Sequence, residues 1–558
     1  MNILGICDSQ DAGAVFICDG GKDITAVNEE RLSRIKLCGG FPEKSIKEIL
    51  RIKKIDPQKI DQVVLASKMT PSFLLRSFRN VHARLRGNNK QFSFLLSLYI
   101  LYQMIARKTI ILAKIEEYLS RIYLKARLKK LGIKSKVSVI DHHTAHAYAA
   151  YSTSGYEQAL IITIDGLGDG LSFTVSIGKQ GRVTRIFEQN ALNDITLYYS
   201  RLTDFLGFKP IQDEGKVMGL AGYSSNYFYL LQAQKLLKVK SGRFRSKNIF
   251  SQDKKIYKQL KGKSPQDIAA SFQVHVEQVL SEIVDYWVDK TKISDVALGG
   301  GFFANIKVNQ KIAELKNVNS VYVYPHMGDG GIALGAIFAV MQVKPFRLKN
   351  VFWGPSYSQQ DIEDVLKKNG VRYERVNNIE NRIAELISQG KIVARFCGAM
   401  EYGPRALGNR SVLAPATDKD VVMKLNQKLG RDMFMPFAPV VLADKIHECC
   451  LNVEKAIYSA NFMNVSFSCT EYFKKLCPAV VHTDGTTRPQ CVFEENNFKL
   501  FKILNKYQKI TKIPAMINTS FNTHEEPIVC SPEDALRSFK MAKLEYLAME
   551  NFLIKGDY

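Results

Sequence analysis

The chain has 558 residues, too many for a single hydrophobic core, so at least two domains are expected. Its 78 lysines and arginines against 54 acids leave a formal charge of +24, which points to an anionic substrate, partner or surface. Ten scattered cysteines without a CxxC pair exclude a thiolate zinc module and fit reduced thiols in a cytoplasmic setting. The N-terminus lacks a basic stretch followed by an apolar run, which argues against secretion. No apolar window reaches bilayer-spanning length, Phe92–Ala106 coming nearest.

Asn2–Asp8 reads as a strand entering a turn and Asp11–Ile17 as the returning strand, with Asp19-Gly20-Gly21 as a second turn. Two strands joined by small and acidic residues can present backbone amides to phosphate, which makes Asp8 and Asp11 candidates for a ligand or metal contact. A charged run, Glu29–Lys36, follows; then a helix is predicted from Phe41-Pro42 to about Ile52 and a strand over Ile60–Leu65. Between residues 73 and 136 stand fifteen lysines and arginines against Glu116 and Glu117 alone. Apolar stripes between these charges predict long amphipathic helices, a basic insertion that could be a solvated face, a guide for an anionic acceptor, or a peripheral membrane contact. Nucleic-acid binding has only the charge in its favour, because no recognition module accompanies it.

Three of the nine histidines fall within His142-His143-Thr144-Ala145-His146. On a helix, His142 and His146 share one face at metal-bridging spacing. Asp165 ends the buried-strand pattern Ile161-Ile162-Thr163-Ile164, well placed to add a carboxylate. The alternative is a helix cap with core histidines. Gly166, Gly168 and Asp169-Gly170 make a loop small enough for phosphate to approach, and Lys216 could neutralise it. Pro265–Lys290 has the spacing of a long helix, and Val296–Leu298 is a strand running into Gly299-Gly300-Gly301. Those glycines and the helix start at Asn305 offer close backbone approach to a ligand. Val321–Pro325 is a further strand, after which Asp329 supplies the third ligand; with His142, His146 and Asp165 it makes a mixed N/O set suited to iron, manganese or zinc.

A boundary is expected around Val343–Ser356, dividing domains at 1–345 and 356–558. The second domain opens with helix Ile362–Lys368, strand Val371–Val376, helix Ile379–Gln389 and core strand Ile392–Phe396. Glu401–Ser411 follows, an irregular loop in which Arg405 and Arg410 supply forks matched to phosphate or carboxylate. Arg431 and Arg488 lie in later loops, and the strand Pro514–Ile517 delivers Asn518, whose amide could orient a carbonyl group.

These motifs together resemble the O-carbamoyltransferases of the nodulation-factor and antibiotic-tailoring type along the whole chain. The matching stretches are Asn28–Lys36, Asp141–Ala147, Ile164–Asp169, Lys216–Ala221, Gly299–Asn305, Gly328–Gly331, Gly403–Ser411 and Asn518–Asn522. The resemblance implies an α/β protein, with a duplicated actin-like N-terminal domain fused to a domain similar to threonylcarbamoyl-adenylate synthase. The basic insertion is not part of the pattern. It further implies that the second domain makes carbamoyl adenylate from carbamoyl phosphate and ATP, with Mg2+ accompanying the nucleotide. The first would then pass the carbamoyl group to an acceptor hydroxyl on a small molecule or glycan. By the same resemblance His142, His146, Asp165 and Asp329 surround a divalent metal, usually iron, and Arg405, Arg410, Arg431, Arg488 and Asn518 surround the activation site. A homodimer is a compatible assembly. Departures from the pattern are Gln10, where histidine is common, and Met435, where arginine is common; Lys428 is a substitute for a lysine expected nearby. Two other functions fit parts of the sequence: tRNA threonylcarbamoyl transfer, and noncatalytic binding of nucleotide or a membrane surface on this scaffold.

Overall fold

The computed structural model describes residues 1–21, 23–77, 89–246, 253–432, 434–523 and 525–557. Arg79, Arg84 and Arg86 of the basic stretch lie outside the described residues. The chain divides into two compact units, one of residues 1–33 and 37–348, the other of residues 34–36 and 349–558.

Two five-stranded sheets build the first unit. One comprises β1 (Ile3–Cys7), β2 (Gly13–Cys18), β3 (Asp23–Asn28), β4 (Gln62–Ala66) and β5 (Lys136–Ile140), in the order β3-β2-β1-β4-β5. The other draws on β6 (Gln158–Gly168), β7 (Leu171–Lys179) and β8 (Arg182–Asn190). A small hairpin of β9 (Leu237–Lys240) and β10 (Arg243–Ser246) intervenes before β11 (Asp295–Gly299) and β12 (Ser320–Val323) complete that sheet, in the order β12-β11-β6-β7-β8. Each sheet opens with an antiparallel meander of three strands and adds two parallel strands beside the first, β4 and β5 in one and β11 and β12 in the other. The topology is therefore repeated. Continuous apolar runs such as Leu160–Ile162 and Val63–Leu65 suit strands covered on both faces.

Two helices cross between these sheets. Asp141 caps helix His142–Ser154 by accepting from the Thr144 amide at 3.0 Å, and Gly155 in the left-handed region ends it. This helix follows the first sheet yet packs on β6 and β11 of the second. The Ile332–Met341 helix follows the second sheet and packs on β1 and β4 of the first. Where the two helices meet, a Cβ at Gly335 would lie 1.8 Å from the Ala145 carbonyl oxygen, so only glycine permits the crossing.

The basic stretch contains the helices Asn89–Lys108 and Ile110–Lys129. Arg76 anchors its start: the guanidinium meets Asp8 at 3.1 Å, almost wholly shielded from water, and donates to the Ser67 carbonyl at 3.0 Å. Ser264 caps the helix Pro265–Thr291, with proline at its first position, as the spacing predicts.

An eight-stranded mixed sheet organises the second unit. Its strands are β13 (Glu374–Arg375), β14 (Val393–Phe396), β15 (Arg410–Pro415), β16 (Ala438–Leu442), β19 (Gln490–Val492), β20 (Ala515–Ser520), β21 (Tyr546–Met549) and β22 (Phe552–Lys555). A separate two-stranded pair joins β17 (Phe467–Ser468) to β18 (Thr486–Thr487). Helices Ile379–Ser388 and Phe498–Thr511 cover one face around Ile383, Ile387, Leu413 and Leu504. The expected strand Val371–Val376 shrinks to two exposed edge residues, which pair with β22.

Candidate functional site

In the first unit, the ends of the parallel strands converge. His142 and His146 come from the helix after β5, Asp165 from the end of β6, and Asp329 from the turn after β12. One ligand atom from each of these four lies within 4.8 Å of every other. The two Nε2 atoms are 3.1 Å apart, His146 Nε2 is 3.0 Å from Asp165 Oδ2, and His142 Nε2 is 3.5 Å from Asp329 Oδ1. Ser67 Oγ shares a 2.6 Å hydrogen bond with His142 Nδ1, which fixes the ring and leaves Nε2 for the centre. Two imidazole nitrogens and two carboxylates, buried or half-buried, fit a divalent cation of the transition series.

The charges within the centre are mutually adjusted. Burial opposes a charge on His142, but Asp329 and Asp165 outweigh it and raise its imidazole to about 9. Burial likewise opposes ionised Asp165, yet His142 and His146 hold it well below the usual carboxylate range. His143 is different: burial and its two histidine neighbours push it well below its ordinary value. It shares hydrogen bonds with Thr163 Oγ1 at 2.7 Å and the Leu171 carbonyl, and so belongs to the core.

Behind the histidines lies a carboxylate that sequence spacing did not single out. Asp169 is fully buried and accepts four backbone amides: Met69 at 2.7 Å and Thr70 at 3.0 Å on Oδ1, Lys68 and His142 at 2.9 Å on Oδ2. It ties the loop after β4, which carries Ser67, to the start of the histidine helix. Asp141 accepts from Arg107 at 3.1 Å and from Arg185; against the effect of burial, Arg185 and Arg107 hold it well below the usual carboxylate range.

Several residues expected at a phosphate loop contact this centre or the scaffold. Gly166 and Gly168 continue β6 rather than forming an open loop, and the Gly166 amide donates to Asp165 Oδ1 at 2.6 Å. A Cβ at Gly168 would stand 2.2 Å from His142 Cδ2, so its smallness makes room for imidazole. Gly299 and Gly300 press against the backbones of His146 and Ile164, and the Gly301 amide donates to Asp165 Oδ2 at 3.1 Å. Lys216 turns to Asp213, the residue before its own helix, at 3.3 Å. Asn305 caps the Ile306–Ala313 helix and exchanges amide hydrogen bonds with Gln273 at 3.0 and 3.1 Å. Asp11 lies 3.9 Å from His326 Nε2, apart from the four-residue group.

The second unit gathers Arg405, Arg431 and Arg488. Burial pushes Arg405 down to about 10, with Arg431 adding repulsion; burial also brings Arg431 to about 10. Arg488 is driven well below its ordinary value by burial and by the other two guanidiniums. Arg431 donates to Thr519 Oγ1 at 2.9 Å and stacks over Phe437 at 4.9 Å. Three like charges in one half-buried place, with Arg405 Nε lacking an acceptor among the described residues, create demand for an anion. Arg410, expected beside them, is wholly buried and turns inward. Its terminal nitrogens donate to the carbonyls of Cys397, Asn409, Pro355 and Gly398, and the guanidinium stacks 3.8 Å over Phe396. Asn518 also acts on the scaffold, donating to the Ala406 carbonyl at 3.2 Å and Gln490 Oε1 at 2.6 Å. Glu401 holds the loop between them: its Oε1 accepts from the amides of Leu407, Asn409 and Arg410 at 2.8–3.1 Å.

Residues 2–338 match the family described as Carbamoyltransferase N-terminus, and residues 384–556 match Carbamoyltransferase C-terminus. The chain belongs to the carbamoyltransferase family. It is a transferase. This carbamoyltransferase is 33% identical over 572 residues to Uncharacterized protein MJ1051 of Methanocaldococcus jannaschii, covering 99% of each chain. It is 31% identical over 564 residues to Nodulation protein NolNO of Sinorhizobium fredii, covering 98% of this chain and 79% of that one. A crystal structure of full-length HypF in phosphate- and nucleotide-bound form is 14% identical, with a TM-score of 0.38, covering 61% of this carbamoyltransferase and 46% of that chain. That likeness is too weak to bear on fold or ligand.

Proposed function

We propose that this carbamoyltransferase is ATP-dependent and acts on a hydroxyl group of a small molecule or glycan. Residues 356–558 would form carbamoyl adenylate from carbamoyl phosphate, MgATP and one water, releasing phosphate and pyrophosphate. Residues 1–345 would then transfer the carbamoyl group to the acceptor oxygen, releasing AMP. The repeated topology of the first unit supports an actin-like fold there, and the resemblance of Gly403–Ser411 supports a threonylcarbamoyl-adenylate-synthase-like fold in the second.

The observation that carries the reading is the group of three clustered guanidiniums in a chain of this family. Carbamoyl phosphate is a dianion, and fixed arginines stabilise charge that develops as its phosphate departs. Arg405 and Arg488 would bind the phosphate; Arg431, held by Thr519 and Phe437, would orient it. Arg410, Glu401 and Asn518 keep the loop carrying Arg405 in shape.

In the first unit, His142, His146, Asp165 and Asp329 would hold a divalent metal, with iron the expectation from the family resemblance. Bound there, the metal would supply Lewis-acid polarisation of the carbamoyl carbonyl or of the acceptor hydroxyl. Ser67 and Asp169 orient His142, and the glycines after β11 bring backbone amides close to Asp165. The test is pyrophosphate and AMP formation by the purified protein with ATP and carbamoyl phosphate. Threonine plus bicarbonate in place of carbamoyl phosphate should give no product; product only with that pair would assign the tRNA threonylcarbamoyl reaction instead. ATP binding without turnover of either carbamoyl phosphate or the threonine–bicarbonate pair would overturn both.

A further inference from the structure

The basic helices of the first unit carry an exposed outer surface apart from the residues assigned to the two reaction centres. On helix Asn89–Lys108 the exposed positions Leu98, Leu101 and Ile105 recur at helical spacing. On helix Ile110–Lys129 the exposed apolar positions Ile111, Ile115, Tyr118 and Ile122 share one face, with Leu112 also exposed; Ile111 is 70% and Tyr118 65% accessible. The opposite faces are already occupied: Ile100 and Met104 pack with Ala191, and Leu124 and Leu128 join the core beneath the first sheet. Both helices are thus apolar on two sides, one covered and one bare. The Tyr102 hydroxyl donates to Glu116 and joins the helices side by side.

The charges around the bare stripes have one sign. Lys108, Lys114 and Lys125 are exposed on the same two helices. The two acids are engaged within the protein: Glu116 accepts from the Phe73 amide at 2.7 Å and from Tyr102, and Glu117 meets Arg121 at 2.5 Å and Lys68 at 3.6 Å. A second copy would bring the same positive charge against itself, which disfavours a symmetric dimer through this face. No described helix is long and apolar enough to cross a membrane. Exposed aliphatic stripes flanked by lysine fit the headgroup boundary of an anionic bilayer, where the lysines meet lipid phosphates and the apolar side chains enter the acyl edge.

We infer that the helix pair Asn89–Lys108 and Ile110–Lys129 docks this enzyme on the surface of anionic membranes, without spanning them. The test is flotation of the full-length protein with vesicles of phosphatidylcholine alone and of phosphatidylcholine mixed with phosphatidylglycerol. The expected result is co-flotation with the anionic vesicles only, reversed by high salt. The pair Lys114→Glu and Lys125→Glu should weaken partitioning by about fivefold or more per lysine. The pair Ile111→Ser and Ile115→Ser should weaken it at least about tenfold, from the loss of two buried side chains. Circular dichroism and melting of each variant separate loss of docking from loss of fold, and both lysines of the first pair are exposed. Absence of flotation, equal flotation with neutral vesicles, or indifference of both folded variants would overturn the inference. A concentration-dependent dimer broken by the isoleucine pair, without vesicle binding, would assign the face to a second copy instead.

Discussion

Replacing Asp169 by asparagine keeps the shape of the side chain and changes only one oxygen, yet it should be among the costliest single substitutions in the first unit. Oδ1 accepts the amides of Met69 and Thr70, and Oδ2 accepts those of Lys68 and His142. Whichever oxygen becomes NH2, two backbone donors face a donor inside a site closed to water. Each orphaned donor costs about 1–3 kcal/mol, so the loss is about 2–6 kcal/mol before the weaker, uncharged remaining pair is counted. That is a large part of the roughly 5–15 kcal/mol that holds a typical domain folded. Urea unfolding followed by circular dichroism measures the loss, and amide exchange over residues 67–72 locates it. Because the same carboxylate positions His142 and the Ser67 loop, affinity of the centre for a divalent cation should fall about 10- to 100-fold. An Asp169→Asn variant with stability within about 1 kcal/mol of the parent and unchanged exchange at residues 67–72 would refute the reasoning.

Gly168→Ala should displace the His142 ring, since the new methyl would sit 2.2 Å from its Cδ2, and reduce bound metal measured by atomic emission. Gly215→Ala, on a helix with nothing within 4 Å of the added methyl, is the control and should gain stability of about 0.5–1 kcal/mol. Arg488→Met should lower carbamoyl-phosphate-dependent pyrophosphate release by about 10²–10³, while leaving the melting temperature equal or higher because a buried repulsion is relieved. A fall in melting temperature with turnover intact would count against the anion site. Burial lowers His275, bonded to the Tyr198 hydroxyl at 2.9 Å, to about 4. The unfolded chain, with the ordinary value near 6.5, binds this proton first as pH falls, so stability declines from about pH 6.5 to 4 at up to about 1.4 kcal/mol per unit. His275→Gln should remove that part of the slope in urea titrations at several pH values; an unchanged slope would show that the ring titrates alike in both states.

Local pattern carried a good part of this molecule. Apolar spacing predicted a helix over Pro265–Lys290, which the structure shows as Pro265–Thr291, and the continuous apolar runs located the central strands. His142 and His146 were readable as partners because four residues on a helix is a fixed distance, and the structure brings Asp165 and Asp329 to them. Asp169 was not readable in that role, since its partners Lys68 to Thr70 lie about a hundred residues away. Arg405 and Arg410 look alike in sequence. Arg410 turns its terminal nitrogens to four carbonyls, whereas Arg405 faces two other guanidiniums, and that choice depends on where β14 and β15 bring residues 397–410 together. Where the sequence suggested close approach of a phosphate, Gly168, Gly299 and Gly300 are tightly packed around imidazole and backbone, while Gly301 is exposed and donates its amide to Asp165. Glycine permits both, and only the neighbours distinguish them.

The crossed placement of the His142–Ser154 and Ile332–Met341 helices bears on how the first unit is made. Each sheet receives its cover from a helix encoded next to the other, so a fragment ending near residue 155 would hold a finished sheet with one bare side and a helix with nowhere to lie. During synthesis that surface stays open until Met341 has been added. Neither repeat should be obtainable as a stable separate protein, whereas two complementary fragments cut between β8 and β9 and expressed together should find each other.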